Sequence, residues 1–334
     1  MTNVLVIAEA GVNHNGEIDL AYELIDQAIC SGADVVKFQA AIPELVATEK
    51  AEKADYQKKT TGSDKSQLEM IRNILLPLEA FDKLALYCSQ KGIVFFATAF
   101  DLISLDYVEK LGQPYHKIPS GEITNLPYLR QVGQYGKPIF LSTGMAEMDE
   151  IGAALSVFDS VGFPRNMLTV LQCNTEYPTP LKDVHLNAMK TIGSEFSVAV
   201  GYSDHTDCIE VPIAAVALGA NVIEKHFTLD CNMVGPDHKA SLEPKSFRAM
   251  VDGIRRVEQA LGGALKRPSP SELKNKTVVR RSIVAARDIK AGEIFTPENI
   301  VAKRPATGLS PMNWDKVIGL PAKKAFGAGD LICL

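Results

Sequence analysis

The chain has 334 residues, 46% hydrophobic and 22% charged, with a formal net charge of −5. That length suits one large domain plus a small one, and the composition is that of an ordinary globular protein. The acidic balance gives no electrostatic basis for binding nucleic acid or an acidic membrane surface. Six cysteines without a CxxC pair fit a reduced cytoplasmic protein rather than a disulfide framework or a structural zinc site. The opening apolar run Val4–Ile7 leads straight into Glu9 without a basic n-region or cleavage site, so neither a signal peptide nor a membrane span is expected.

Eight short runs read as buried parallel strands separated by helical stretches. They are Val4–Ala8, Asp34–Phe38, Ile93–Ala97, Tyr115–Ile118, Pro138–Leu141, Leu168–Gln172, Ser197–Gly201 and Asn221–Glu224. After the first run, Asp19–Ala28 puts Leu20, Leu24, Ile25 and Ala28 on one helical face. Glycine closes such helices at Gly32, Gly92, Gly112, Gly136 and Gly219. Eight βα units predict a (β/α)8 TIM barrel over residues 1–265; a doubly wound sheet usually has fewer strands. The charged stretch Ala40–Gln67 reads either as a solvated excursion or as a lid over a site. From Gly262 to Asn275 the composition turns to Gly, Pro, Ser and Lys, which places a linker at 266–276. Residues 277–334 alternate short apolar runs with turns, predicting a compact β-rich module with little helix.

Active sites of such barrels sit at the C-terminal ends of the strands. Each run delivers a chemically capable residue there: Glu9; Lys37 with Gln39; Thr98; Lys117 with Ser120 and Glu122; Ser142; Asn174 with Tyr177; Ser203 with His205; Glu224 with His226. One polar strand end is ordinary, but eight of eight point to a site. Two lysines in apolar strands would be costly without a partner, and an anionic ligand at the mouth explains both. His205 and His226 follow adjacent strands. They read either as ordinary capping or core histidines or as a pair holding a divalent metal, and the matched placement favours the metal.

The segments AEAGVNHNG, VKFQ, KIPSGEITNLPYL, LSTGM, CNTEYPTP, GYSDHT, IEKHFTLD, GPDHKASLEP and KRPATGLSP resemble, in this order, the sialic acid synthase family. The tail resembles the antifreeze-like (SAF) domain that ends those synthases. The resemblance implies metal-dependent condensation of phosphoenolpyruvate with N-acetylmannosamine, as its open-chain aldehyde, to N-acetylneuraminate and phosphate. The alternative is the same chemistry on a 2,4-diacetamido-2,4,6-trideoxyhexose, giving legionaminic or pseudaminic acid. It implies Mn2+ or Mg2+ on His205 and His226, and Lys37, Thr98, Lys117, Ser120, Ser142 and Ser203 around phosphoenolpyruvate. Gln39, Tyr177 and Asp237 would face the acceptor sugar and Arg304 its acyl end, with Glu9 and Glu122 the candidate acid/base carboxylates. Either Asn174 or Thr175 would meet the phosphate. A cytoplasmic homodimer is implied, the C-terminal domain of one chain covering its partner's barrel. Two rival readings are a Schiff-base aldolase using Lys37, Lys117 or Lys225 and a carbohydrate- or ice-binding protein.

Overall fold

The computed structural model describes residues 3–62 and 66–334. Ser63, Asp64 and Lys65, part of the charged excursion, lie outside the described residues. The chain forms two compact units, one ending at Gly262 and the other spanning Gly263–Leu334.

The first unit carries eight parallel strands: β1 (Leu5–Gly11), β2 (Val35–Ala40), β3 (Val94–Ala99), β4 (His116–Ile118), β5 (Ile139–Ser142), β6 (Leu168–Gln172), β7 (Ala199–Asp204) and β8 (Val222–His226). Their order is β3-β2-β1-β8-β7-β6-β5-β4, and β1 pairs with both β2 and β8, so the first and last strands meet in a (β/α)8 barrel. β3 packs beside β4 without a ladder. At that seam the backbone N–H of Ala97 donates to Oε1 of buried Gln113 at 2.9 Å, satisfying a donor that would otherwise be stranded.

Helix α1 (Ile18–Cys30) follows β1. The β2–β3 connection holds α2 (Pro43–Val46), α3 (Asp55–Thr61), α4 (Gln67–Ile74) and α5 (Ala80–Lys91). Then come α6 (Leu102–Lys110), α7 (Leu126–Gln134), α8 (Met148–Ser160), α9 (Ala188–Phe196), α10 (Glu210–Ala217) and, after β8, α11 (Pro244–Leu261). The α1 stripe runs through Ala21, Leu24, Ile25 and Ala28 at the i, i+3, i+4, i+7 spacing; Leu20, expected on it, is only half-buried.

Strand side chains alternate, so every second residue enters the barrel. One interior layer is apolar: Ile7, Val35, Phe96, Phe140, Leu171 and Val222, with Tyr115 packed against it. β7 contributes Gly201, where a Cβ would lie 2.5 Å from Leu171 Cδ2 and 2.6 Å from the Val222 carbonyl oxygen. Only glycine leaves Leu171 room to fill the centre. Two residues further along the same strands stand Glu9, Lys37, Thr98, Lys117, Ser142, Cys173, Ser203 and Glu224. The apolar plug below them and the polar ring at the C-terminal ends thus come from one period of two.

The second unit holds α12 (Pro270–Val279), an antiparallel pair of β9 (Ser282–Ala285) and β10 (Ile300–Lys303), and a short α13 (Trp314–Val317). Ile283, Ala285, Ile289, Phe295, Ile300, Val317, Ala322, Phe326 and Ile332 form its own core. The segment expected as a linker is mostly helical. Its Ser269-Pro270-Ser271-Glu272 start, which reads as linker composition, is a capping box with proline in the first turn.

Candidate active site

A cavity of about 360 Å³ opens at the C-terminal ends of the strands. Its base is a chain of buried ion pairs. Lys37 Nζ lies 2.6 Å from Glu9 Oε2 and 3.6 Å from Glu224 Oε2, and Lys117 Nζ lies 2.6 Å from Glu224 Oε1. Lys37 also donates to Thr98 Oγ1 at 3.0 Å, Gln39 Nε2 to Glu9 Oε1 at 3.0 Å, and Ser203 Oγ to Glu224 Oε1 at 2.8 Å. Burial works against every one of these charges. It pushes the Glu9 carboxyl up despite Lys37, with Glu224 adding to the rise. At Glu224 burial is outweighed by Lys117 and Lys37, which hold the carboxyl well below its usual range. At Lys37 burial is outweighed by the Glu224 and Glu9 carboxylates, which keep the ammonium above its ordinary value.

On one side of this base His205 and His226 face each other, ring centroids 5.2 Å apart at 67°. His205 Nδ1 bonds the Asn174 carbonyl, which leaves Nε2 as the nitrogen directed at the cavity; the Tyr177 hydroxyl lies 3.0 Å from it. Burial pushes His205 down to about 4 and His226 well below its ordinary value, so both rings are neutral. His226 Nδ1 is buried without a protein hydrogen-bond partner, and the nearest carboxylate oxygen, Asp237 Oδ2, is 3.7 Å away. Burial, with Glu9 adding to it, raises the Asp237 carboxyl to about 7. Among the described residues no cluster of three or more His, Cys, Asp or Glu is spaced to hold a metal ion.

The cavity is lined by Glu9, Lys37, Gln39, Thr98, Lys117, Ser120, Ser142, Tyr177, Ser203, His205, His226 and Asp237. Ser142 Oγ is buried with no protein partner, whereas Ser120 Oγ accepts from the Gly144 N–H at 2.9 Å. Tyr177 is boxed in: one face stacks on His205 (4.1 Å, 23°) and the other on Tyr56 of α3 (5.0 Å, 21°). Glu122 does not line the cavity. The 3-10 turn Ser120–Glu122 carries it to the start of α7, where its carboxylate accepts from Asn125 Nδ2 at 2.5 Å. Thr175 rather than Asn174 lines the site, because the Asn174 side chain is spent on the Asp183 carbonyl and the Glu176 N–H. Arg304 belongs to the second unit, where its Nε donates to the Val279 carbonyl at 2.8 Å. Lys225, a Schiff-base candidate, is fully buried outside the cavity and paired with Asp204 at 2.6 Å. Glu224 is legible in the sequence as a capable strand-end residue, but no specific role follows for it from the chain alone. The carboxylate that both lysines share is the centre of the base.

The NeuB family model matches residues 24–266, and the SAF domain model residues 280–333. The chain is 50% identical over 332 residues to the N,N'-diacetyllegionaminic acid synthase of Campylobacter jejuni, spanning 99% of each. It is 41% identical over 326 residues to the protein of the same name from Legionella pneumophila, spanning 97% of this chain and 92% of that one. Among solved structures it is similar to the N-acetylneuraminic acid (sialic acid) synthetase of Leptospira borgpetersenii, with a TM-score of 0.72 and 33% identity over 82% of this chain and 90% of that one.

Proposed function

The chain belongs to the NeuB family, and from that premise we propose that it condenses phosphoenolpyruvate with a 2,4-diacetamido-2,4,6-trideoxyhexose, giving a legionaminic-acid-type keto acid and phosphate. The carrying observation for the chemistry is the buried Glu9–Lys37–Glu224–Lys117 array at the barrel mouth. For the acceptor, the two diacetyllegionaminic acid synthases, at 50% and 41% identity, favour the diacetamido sugar over the N-acetylmannosamine first expected from sequence.

Phosphoenolpyruvate brings a phosphate and a carboxylate. Lys117 uses one N–H on Glu224 and keeps two for an anion, and Ser142 Oγ is free of protein partners. C3 of the enol attacks the aldehyde carbon, water adds at C2, and the tetrahedral adduct collapses to the ketone with C–O cleavage. The two protons of the added water end on the new hydroxyl, made from the aldehyde oxygen, and on the departing phosphate. Glu9, whose carboxyl is raised, takes the proton from that water. Glu224, held as the anion, fixes both lysines. Neighbouring carboxyls driven apart in this way divide proton transfer from electrostatic support. We further propose that His205 Nε2 and His226 hold Mn2+ or Mg2+; the partnerless Nδ1 of His226 and the neutral rings suit that role. Bound there, such an ion would supply Lewis-acid polarisation for the aldehyde.

The test is phosphate release from phosphoenolpyruvate with each acceptor. A higher kcat/KM for N-acetylmannosamine than for the diacetamido sugar refutes the acceptor assignment. Heavy oxygen in the bridging position must leave in phosphate, and its appearance in the keto acid overturns the mechanism. Turnover that survives exhaustive chelation, or Mn2+ binding to His226→Ala as tight as to wild type by calorimetry, removes the metal site.

A further inference from the structure

The excursion between β2 and β3 is part of the site. Val46, Tyr56, Met70, Ile71, Ile74 and Leu75 line the cavity from α2, α3, α4 and the residue after it. In α4 the cavity side carries Met70, Ile71 and Ile74 while Glu69, Arg72 and Asn73 are exposed, so the helix is amphipathic toward the cavity. Tyr56 anchors α3 to the base through the column Tyr56–Tyr177–His205. The reacting aldehyde must sit over Glu9, Lys37 and the two histidines, so the remaining carbons of the acceptor extend away from the strand ends, toward this wall.

We propose that the α3–α4 wall, chiefly Tyr56 and Ile71, is the specificity determinant for the C4–C6 end of the acceptor. The inference rests on the reaction assigned above. Its chemistry matches a deoxygenated, N-acylated end: a C6 methyl and an acetamido methyl bury against Tyr56, Met70 and Ile71, and the Gln67 amide, also on the wall, can pair with an acetamido group. A sugar with hydroxyls at C4 and C6 would set them against apolar side chains. The only cations among the described lining residues, Lys37 and Lys117, are at the base and already paired, so the described residues at this end offer no counter-charge for a phosphorylated acceptor.

The experiment measures kcat/KM for 2,4-diacetamido-2,4,6-trideoxymannose and for N-acetylmannosamine in wild type, Tyr56→Ala, Tyr56→Phe and Ile71→Gln. Tyr56→Ala and Ile71→Gln should each shift the ratio against the diacetamido sugar by about 10-fold or more, the worth of an apolar contact in a pocket. The KM for phosphoenolpyruvate should not change, and Tyr56→Phe should keep the wild-type ratio. An unchanged ratio, or equal loss on both acceptors together with weaker phosphoenolpyruvate binding, overturns the proposal. Which sugar the wild type prefers decides the acceptor assignment separately, because the wall is judged on the change in ratio alone.

Discussion

Lys117 Nζ and Glu224 Oε1 are 2.6 Å apart with their side chains 4% and 3% exposed, a salt bridge almost fully withdrawn from water. Removing Lys117 alone leaves the buried array with one uncompensated negative charge, although Lys37 stays 3.6 Å from Glu224. Breaking such a pair costs up to about 3–5 kcal/mol, whereas removing both members is far milder. Lys117→Met should therefore destabilise the protein strongly in urea unfolding. Lys117→Met with Glu224→Gln should recover most of that stability and none of the phosphate release. A double variant no more stable than the single one would show that the pair is not held as charges.

Glu9→Gln tests the proton carrier. Loss of a positioned general base typically costs about 100-fold or more in kcat. Phosphoenolpyruvate binding should hold or tighten, because Lys37 loses the anion 2.6 Å from it. A parallel loss of kcat and of phosphoenolpyruvate affinity would assign Glu9 to holding the site together.

His14 makes acid stability measurable. Burial pushes its imidazole from the usual 6.5 down to about 4, so the folded chain takes up that proton later than the unfolded one. The sign follows: the contribution is complete above pH 6.5 and is lost as pH falls toward 4, about 3 kcal/mol in all. His238 is pushed down to about 4 by the same cause and carries the same sign, so the wild-type-minus-variant difference is the quantity to read. Urea unfolding of His14→Gln should have a flatter pH dependence between 6.5 and 4 than wild type, and equal slopes would refute the assignment.

Gly201→Ala should destabilise by about 1–3 kcal/mol or more, since overpacking a tight interior forces neighbours aside. Here one of the overlapped atoms is a backbone oxygen that cannot rotate away. Gly121→Ala, whose Cβ would meet nothing within 4 Å, is the control. Equal melting temperatures for the two variants would contradict the layered interior.

The barrel is legible because short apolar runs recur eight times and glycine closes five of the helices between them. Strand ends are less so. The β7 run reads as Ser197–Gly201, yet the strand continues through Asp204, because inward-pointing site residues have the polarity of a loop. Most of the ring follows from alternation, but Glu224 gains its role from lysines on β2 and β4, a relationship with no signature along the chain. Glu122 misleads for the opposite reason. It stands two residues beyond Ser120, as the pattern wants, and a 3-10 turn rotates it away. Tyr56 sits within the charged run EKAEKADYQKK, whose composition hides an aromatic that packs on the site.

The seam between β3 and β4 gives the barrel a preferred line of opening. No backbone hydrogen bond joins those strands among the described residues, so parting them breaks side-chain contacts such as Gln113 to Ala97 and leaves every ladder intact. The amide proton of Ala97 should then exchange with solvent deuterium well before those of β1 and β8. Thr98 and Lys117 stand on opposite banks of this seam. The same breathing motion that admits deuterium would pull these two cavity-lining residues apart, and if phosphoenolpyruvate binds across them as proposed, it should slow exchange there more than anywhere else in the barrel.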